Sequence, residues 1–261
     1  MIGIFDSGLG GLTVVRTMMK QLPEYDIVYF GDTARTPYGS KSRETVIGYS
    51  FENTEFLIKM GAKVIIIACN TASSVATQKL SEKYKLPIFE VITPAIENAL
   101  SATRNYKIGV IGTRATINSN IYEQKIIEKN PEAHVYSNAC PLLVPLVEEG
   151  WLSKPETRMI VKKYLYPLKG KQIDTLILGC THYPLLKDII QHKIGKQVKI
   201  IDSSISIASQ IKTYLQNSPE IDLSLSKKGK SKFYISDITD QFRLTAQKIL
   251  KQKIHLEHVI Q

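Results

Sequence analysis

Short aliphatic runs recur along this chain, each followed by a polar or glycine-rich turn and then by residues with helical spacing. The first run, at 2–5, feeds Asp6-Ser7-Gly8-Leu9-Gly10-Gly11, and a helical apolar period continues over 12–22 until Pro23 stops it. A second run at 27–30 opens a polar loop over 31–39 stiffened by Pro37, after which a helix is predicted over 44–60. The strand predicted over 64–68 ends at Cys69, with Asn70 and Thr71 beyond it. A helix over 73–84 and a strand over 88–91, closed by Thr93-Pro94, complete the set. After a helix over 95–102 the pattern begins again. Strands are predicted over 107–111, 134–138, 175–178 and 198–202, and helices over 119–129, 144–149, 156–166 and 204–216, with Pro167 ending the third of these. A last strand over 232–236 and helix over 241–250 are expected to pack back onto the first half.

Strands alternating with helices at this spacing imply βαβ units and a largely parallel sheet, whose binding crevice lies at the carboxyl ends of the strands. Asp6, Tyr38 and Cys69 all fall there. The second half copies the first in outline: VIIIACNTASS at 64–74 and LILGCTH at 176–182 are both aliphatic runs that end in a thiol flanked by small and hydroxyl side chains. The expected fold class is therefore α/β, with two pseudo-symmetric three-layer domains, mainly parallel sheets and the site in the cleft between them. Residues 1–95 plus 210–261 form one domain in this reading, and 96–209 the other.

Composition narrows the setting. The 261 residues are 43% hydrophobic with a mean hydropathy of −0.08, and no apolar run approaches the roughly 20 residues of a membrane span. The N-terminus has no basic leader or small-residue cleavage site, so a cytoplasmic protein is expected. Three widely spaced cysteines, Cys69, Cys140 and Cys180, argue by their number against a disulfide framework, and no zinc or thioredoxin spacing is present. A net charge of +10 and a pI near 9.3 would permit an anionic partner. The lysines are scattered, however, and the one dense group, over 227–232, reads as a solvated loop. Nucleic acid is not the expected partner.

A thiol at the end of a buried strand, beside helix-start amides, sits where a thiolate can be formed and used. A single such cysteine is more often a small core residue. Two in matched settings change the balance, because a proton swap at one carbon needs two opposed acid–base groups, one on each face. Such chemistry requires no metal and no cofactor, and the sequence carries no dinucleotide fingerprint or Schiff-base lysine motif. Cys140, followed by Pro141, reads as structural. His182 by itself would more often be a hydrogen-bonded core residue, Asp6 a helix cap, and Thr113 and Thr116 cap or loop residues.

Four segments in order, FDSGLGGLTV at 5–14, GDTARTPYG at 31–39, ACNTAS at 68–73 and GCTHYPLL at 179–186, closely resemble the glutamate racemase family of the cofactor-independent aspartate/glutamate racemase superfamily. The resemblance runs nearly the whole length. It implies that Cys69 takes the α-proton from the D-isomer and Cys180 from the L-isomer, supported by Asp6 and His182 respectively. Glu148, in VPLVEEG, resembles an acid assisting the second side, with Glu149 the neighbouring alternative. Substrate contacts implied by the same resemblance are Asp6, Ser7, Pro37, Tyr38, Gly39, Asn70, Thr71, Thr113, Thr116, Thr181 and His182. The implied activity is interconversion of L- and D-glutamate for peptidoglycan synthesis, by a homodimer with glutamate as its small-molecule substrate and no cofactor or metal. An aspartate racemase of the same superfamily is the second reading, and a non-catalytic basic binding protein on this fold the third.

Overall fold

The structure, a computed structural model, describes residues 1–259. In the first half β1 (Ile2–Asp6), α1 (Leu12–Gln21), β2 (Ile27–Gly31), α2 (Arg43–Lys59), β3 (Val64–Ile67), α3 (Asn70–Lys83), β4 (Ile88–Glu90) and α4 (Ile92–Ala102) alternate. The second half runs β5 (Lys107–Gly112), α5 (Arg114–Asn118), α6 (Ile121–Lys129), β6 (His134–Ala139), α7 (Leu143–Glu148), α8 (Pro155–Lys169), β7 (Thr175–Gly179), α9 (Lys187–Ile194) and β8 (Lys199–Asp202). The chain closes with α10 (Ser203–Asn217), α11 (Pro219–Ser224), β9 (Ser231–Ile235), α12 (Asp240–Leu250) and β10 (Leu256–His258).

Two sheets result, ordered β10-β9-β2-β1-β3-β4 and β6-β5-β7-β8, with every strand pair parallel. The order β2-β1-β3-β4 repeats as β6-β5-β7-β8, so each sheet reverses direction at its own switch point, between β1 and β3 in one and β5 and β7 in the other. Loops diverge at such points and leave a crevice beyond the strand ends. The last strands do return to the first half, where β9 pairs with β2.

Every residue of β1, β2, β3 and β7 is buried, which is why those strands read as continuous aliphatic runs rather than as alternating ones. Their two faces feed different cores. Ile2, Ile4 and Ile66 share one cluster with Leu176 and Leu178 of the other sheet, so a single core runs between the lobes. Phe5, Ile65 and Ile67 pack on the outer face of the first sheet, and Ile108, Val110 and Ile177 on that of the second.

Four boundaries differ from expectation by more than one residue, among them the start of α4, at Ile92 rather than 95. Helix α3 starts at Asn70 rather than 73, with Cys69 as its cap and the Cys69 carbonyl accepting from the Ser73 amide at 2.8 Å. Helix α8 continues through Pro167 to Lys169. Pro167 lies on the exposed face, where water can serve the carbonyl left without its donor, while Leu165 and Leu168 stay buried and hold the turn in place. The stretch expected as one helix over 119–129 is preceded by the short α5, capped by the Thr113 hydroxyl accepting from the Thr116 amide at 3.2 Å. The lysine-rich segment is exposed, and its backbone is tied to Asp26, whose Oδ1 accepts from the amides of Lys228 and Lys230 at 3.0 and 2.9 Å.

Candidate active site

Cys69 follows β3 and Cys180 follows β7, so each thiol leaves its sheet at the strand beside the switch point. Both open onto one narrow cavity of about 20 Å³, which has room for about one water. Ser7, Pro37, Tyr38, Gly39, Asn70 and Thr71 line it from the first lobe, and Thr113, Thr181 and His182 from the second. Asp6, Thr116 and Glu148 stand one step behind, each hydrogen-bonded to a lining residue. Val144 of α7 also reaches the cavity and was not anticipated.

The lobes approach closely because glycine permits it at two places. A Cβ on Gly10 would fall 2.3 Å from the Thr181 Oγ1 and 2.5 Å from the His182 Nδ1, and one on Gly39 would fall 2.6 Å from the Thr113 Cβ. The glycines of the first-lobe loops are therefore seats for second-lobe side chains rather than a phosphate cradle.

On the Cys69 side, Asp6 is fully buried at the end of β1. Its Oδ2 accepts from the amides of Gly8 and Gly11 at 3.0 and 2.9 Å, and its Oδ1 from the Thr181 hydroxyl at 3.2 Å. Burial raises the Asp6 carboxyl above its ordinary value, against the opposing pull of His182 and of these donors. The Cys69 thiol lies 3.7 Å from the Ser7 hydroxyl. Burial, followed by the Asp6 charge, pushes Cys69 up to about 12, while the Ala72 amide and the Ser7 hydroxyl act the other way. A thiolate made here is a strong base.

The Cys180 side is built with the opposite sign. Its sulfur lies 3.7 Å from the His182 Nδ1, and the His182 Nε2 lies 3.1 Å from the Glu148 Oε1. Burial alone would push the imidazole down, but the hydrogen bonds and charges of Cys180 and Glu148 outweigh it and lift His182 well above its ordinary value. Glu148, not the exposed Glu149, is the acid that meets this histidine.

Hydroxyls and amides fill the remaining wall. Thr71, Thr113 and Thr116 form a triangle across the lobes, with oxygens 3.0, 3.2 and 3.0 Å apart. The buried Asn70 Nδ2 has no hydrogen-bond partner among the described residues. Tyr38 turns its hydroxyl away from the cavity, to the buried Asp32 carboxylate and to the Asn53 amide at 3.0 Å, and so presents its ring.

Residues 4–211 match the model of the Asp/Glu/hydantoin racemase family. The chain belongs to that family. Among its relatives, the glutamate racemase of Persephonella marina is 48% identical over 256 residues, which cover 98% of this chain and 95% of the relative. The solved structure of a glutamate racemase isoform from Bacillus anthracis superposes with a TM-score of 0.93 at 39% identity, covering 99% of this chain and 97% of that one. The glutamate racemase of Francisella tularensis, solved in complex with D-glutamate, superposes with a TM-score of 0.90 at 42% identity, covering 99% and 96%. The racemase family thus accounts for a two-sheet α/β chain with a small-molecule site.

Among the described residues no group of three His, Cys, Asp or Glu side chains is arranged to hold a metal ion. All three cysteines are free. Cys140 follows β6, the outer strand of its sheet, and is wholly buried with its thiol 3.6 Å from the Asn138 carbonyl. Cys140→Ala is expected to lower stability by about 1 kcal/mol, through a small cavity and a lost weak thiol–carbonyl contact, and to leave turnover within about twofold. Thermal melts alongside initial rates check this, and a rate loss without a stability loss would assign Cys140 to the site.

Proposed function

We propose that this chain interconverts L- and D-glutamate without a cofactor, by proton transfer between the substrate α-carbon and two cysteines, and so supplies D-glutamate for peptidoglycan synthesis. One observation carries the reading: thiols at equivalent strand ends in the two lobes open onto the same narrow cavity. In the forward step the Cys180 thiolate takes the α-proton of L-glutamate, and the electron pair left on carbon is spread into the adjacent carboxylate. The Cys69 thiol then gives its proton to the opposite face and becomes the thiolate. D-glutamate reacts by the same route in reverse, from Cys69 to Cys180.

The surroundings suit those roles. Protonated His182, braced by Glu148, steadies negative charge on the Cys180 side, whereas the Asp6 carboxylate makes Cys69 the more reluctant acid and the stronger base. Asp6 and Ser7 offer oxygens to the substrate ammonium. Asn70, Thr71 and Thr113 offer donors to its carboxylates, with Thr116 holding the two threonines in place, while Thr181, its hydroxyl given to Asp6, forms part of the wall beside Cys180. Pro37, Tyr38 and Gly39 close the remaining side. Glutamate is larger than one water, so binding must widen the cleft before closure excludes solvent.

We also propose a homodimer working in the cytoplasm. Three free thiols support a reducing compartment, and no helix among the described residues is long and apolar enough to cross a membrane. The division into 1–95 plus 210–261 and 96–209 is kept as a proposal. The two sheets support it, although both cuts fall within helices, α4 and α10, that are better kept whole.

The decisive experiment incubates the purified protein with L-glutamate in deuterium oxide, with no added cofactor and with EDTA present. Optical rotation should decay as deuterium enters the α-position. Faster turnover of aspartate than of glutamate would move the assignment to aspartate racemase, and no exchange with either would leave a binding protein.

A further inference from the structure

Tyr122 lies on α6 in the second lobe and is only 2% exposed. Its hydroxyl donates to the Asn70 Oδ1 at 2.7 Å, across the cleft, at the first turn of α3 in the other lobe. Asn70 is equally buried, lines the cavity, and has an Nδ2 without a partner among the described residues. A buried amide donor is costly to leave unpaired, by about 1–3 kcal/mol. It persists where a ligand supplies the missing acceptor.

An asparagine amide has two faces that differ only in which atom points where. With Oδ1 bound by Tyr122, Nδ2 is the end of the amide left for a ligand in the cavity that Asn70 lines. Turned over, the amide would aim its carbonyl oxygen at an incoming carboxylate and repel it. Tyr122 disfavours the turn because Asn70 Oδ1 is the acceptor its proton has among the described residues. If the amide turned, Asn70 could donate an N–H to the phenol oxygen, but the buried Tyr122 proton would then be left without an acceptor, at a similar cost. Burial, followed by the charges of Glu90 and Cys180, raises Tyr122 well above the ordinary phenol value, so the proton stays on and the hydroxyl remains a donor.

We propose that Tyr122 is a positioning residue for the racemase reaction: it fixes the Asn70 amide with its donor toward the cavity, ready for a substrate carboxylate, and joins the two lobes through that bond. The inference rests on the glutamate racemase reading of the same cavity. Tyr122 touches neither the reacting carbon nor the thiols in this role. Its effect should therefore appear in substrate affinity rather than in the proton transfers.

Tyr122→Phe keeps the ring and removes the hydroxyl, and the wild-type protein, Tyr122→Phe, Asn70→Ala and the double variant form a cycle. For Tyr122→Phe, KM for both glutamate isomers should rise about tenfold, with kcat changing less than about threefold. In the Asn70→Ala background the same substitution should change KM by less than about twofold, a cancellation that general loosening of the helix would not produce. A KM change below twofold in the single variant, or an equal change in both backgrounds, overturns the proposal. Calorimetric binding of racemic glutamate repeats the cycle as Kd without needing turnover. A wild-type protein that binds glutamate but does not racemise it would refute the function reading while the Kd cycle still decides the role of Tyr122. Failure to bind glutamate at all overturns both.

Discussion

Cys69→Ala and Cys180→Ala are each expected to lower racemisation by about 10³-fold, within the 10²–10⁴ that a positioned acid or base contributes. Serine at either position should do no better, since it keeps the size of the thiol but holds its proton far more tightly. The sharper expectation concerns which isomer still reacts. With Cys69 gone, Cys180 can take the α-proton of L-glutamate and return a solvent-derived one to the same face. Cys69→Ala should therefore wash deuterium slowly into L-glutamate and not into D-glutamate, and Cys180→Ala should do the opposite. Proton NMR of the α-position, started from each pure isomer, reads this directly. Equal exchange of both isomers by one single variant would mean that the two thiols do not divide the faces between them. Equal losses in Cys69→Ala, Cys180→Ala and Cys140→Ala, accompanied by lowered melting temperatures, would reduce all three to packing.

How much of this could be seen in the chain depended on what kind of contact each residue makes. Strands β1, β3 and β7 were legible because a central parallel strand buried on both faces is a continuous aliphatic run, and the thiols were legible because they end two such runs. The start of α3 was not. Asn70 and Thr71 are common before helices and weak within them, so they read as loop, yet Cys69 takes the capping position and places both in the first turn. Helix α8 outlasts Pro167 because burial of Leu168 continues past it. The helices α9 and α11 and the three-residue edge strand β10 gave too little periodic signal to be read at all. Val144 and Tyr122 escaped for a different reason. Val144 reaches the cavity, and Tyr122 reaches Asn70 on its wall, from helices of the second lobe at long sequence separation, and nothing local distinguishes them from other core residues.

The two thiols, alike in the sequence, acquire opposite surroundings from the fold. Asp6 reaches Cys69 because β1 and β3 are neighbours, and their register sets Phe5 against Ile67 at the switch point. The equivalent strand in the other sheet, β5, ends in Gly112 and Thr113 and brings no carboxylate to Cys180, which meets His182 instead. A symmetric framework thus holds an anionic neighbour on one side and a cationic one on the other. That asymmetry fits a site that must hold one thiol and one thiolate at a time.

Asp6→Asn separates the electrostatic role of this carboxylate from its structural one. Asparagine is nearly isosteric: its oxygen can accept from the Gly8 and Gly11 amides as Oδ2 does, and its amide can donate to the Thr181 hydroxyl. One Nδ2 hydrogen and the Thr181 hydroxyl proton are left without an acceptor, a local cost, but the two loop amides stay bonded and the loop should keep its shape. The charge, however, is lost. Because the folded protein raises Asp6 above its unfolded value near 3.8, the group favours the fold only at acid pH, and that contribution disappears as pH rises through the folded value. Once ionised, the buried Asp6 therefore weighs against folding. Asp6→Asn should melt higher than the parent at pH 7, by about 2–4 °C for each kcal/mol recovered, and the difference should vanish below pH 3.8. Activity should move the other way, with kcat down about 10²-fold or more, because Cys69 loses the charge that makes its thiolate a strong base and the substrate ammonium loses its counter-ion. A variant that is both less stable and less active at pH 7 would show Asp6 to be mainly a structural cap, whereas a more stable and inactive one identifies a carboxylate kept ionised for the chemistry at the expense of the fold.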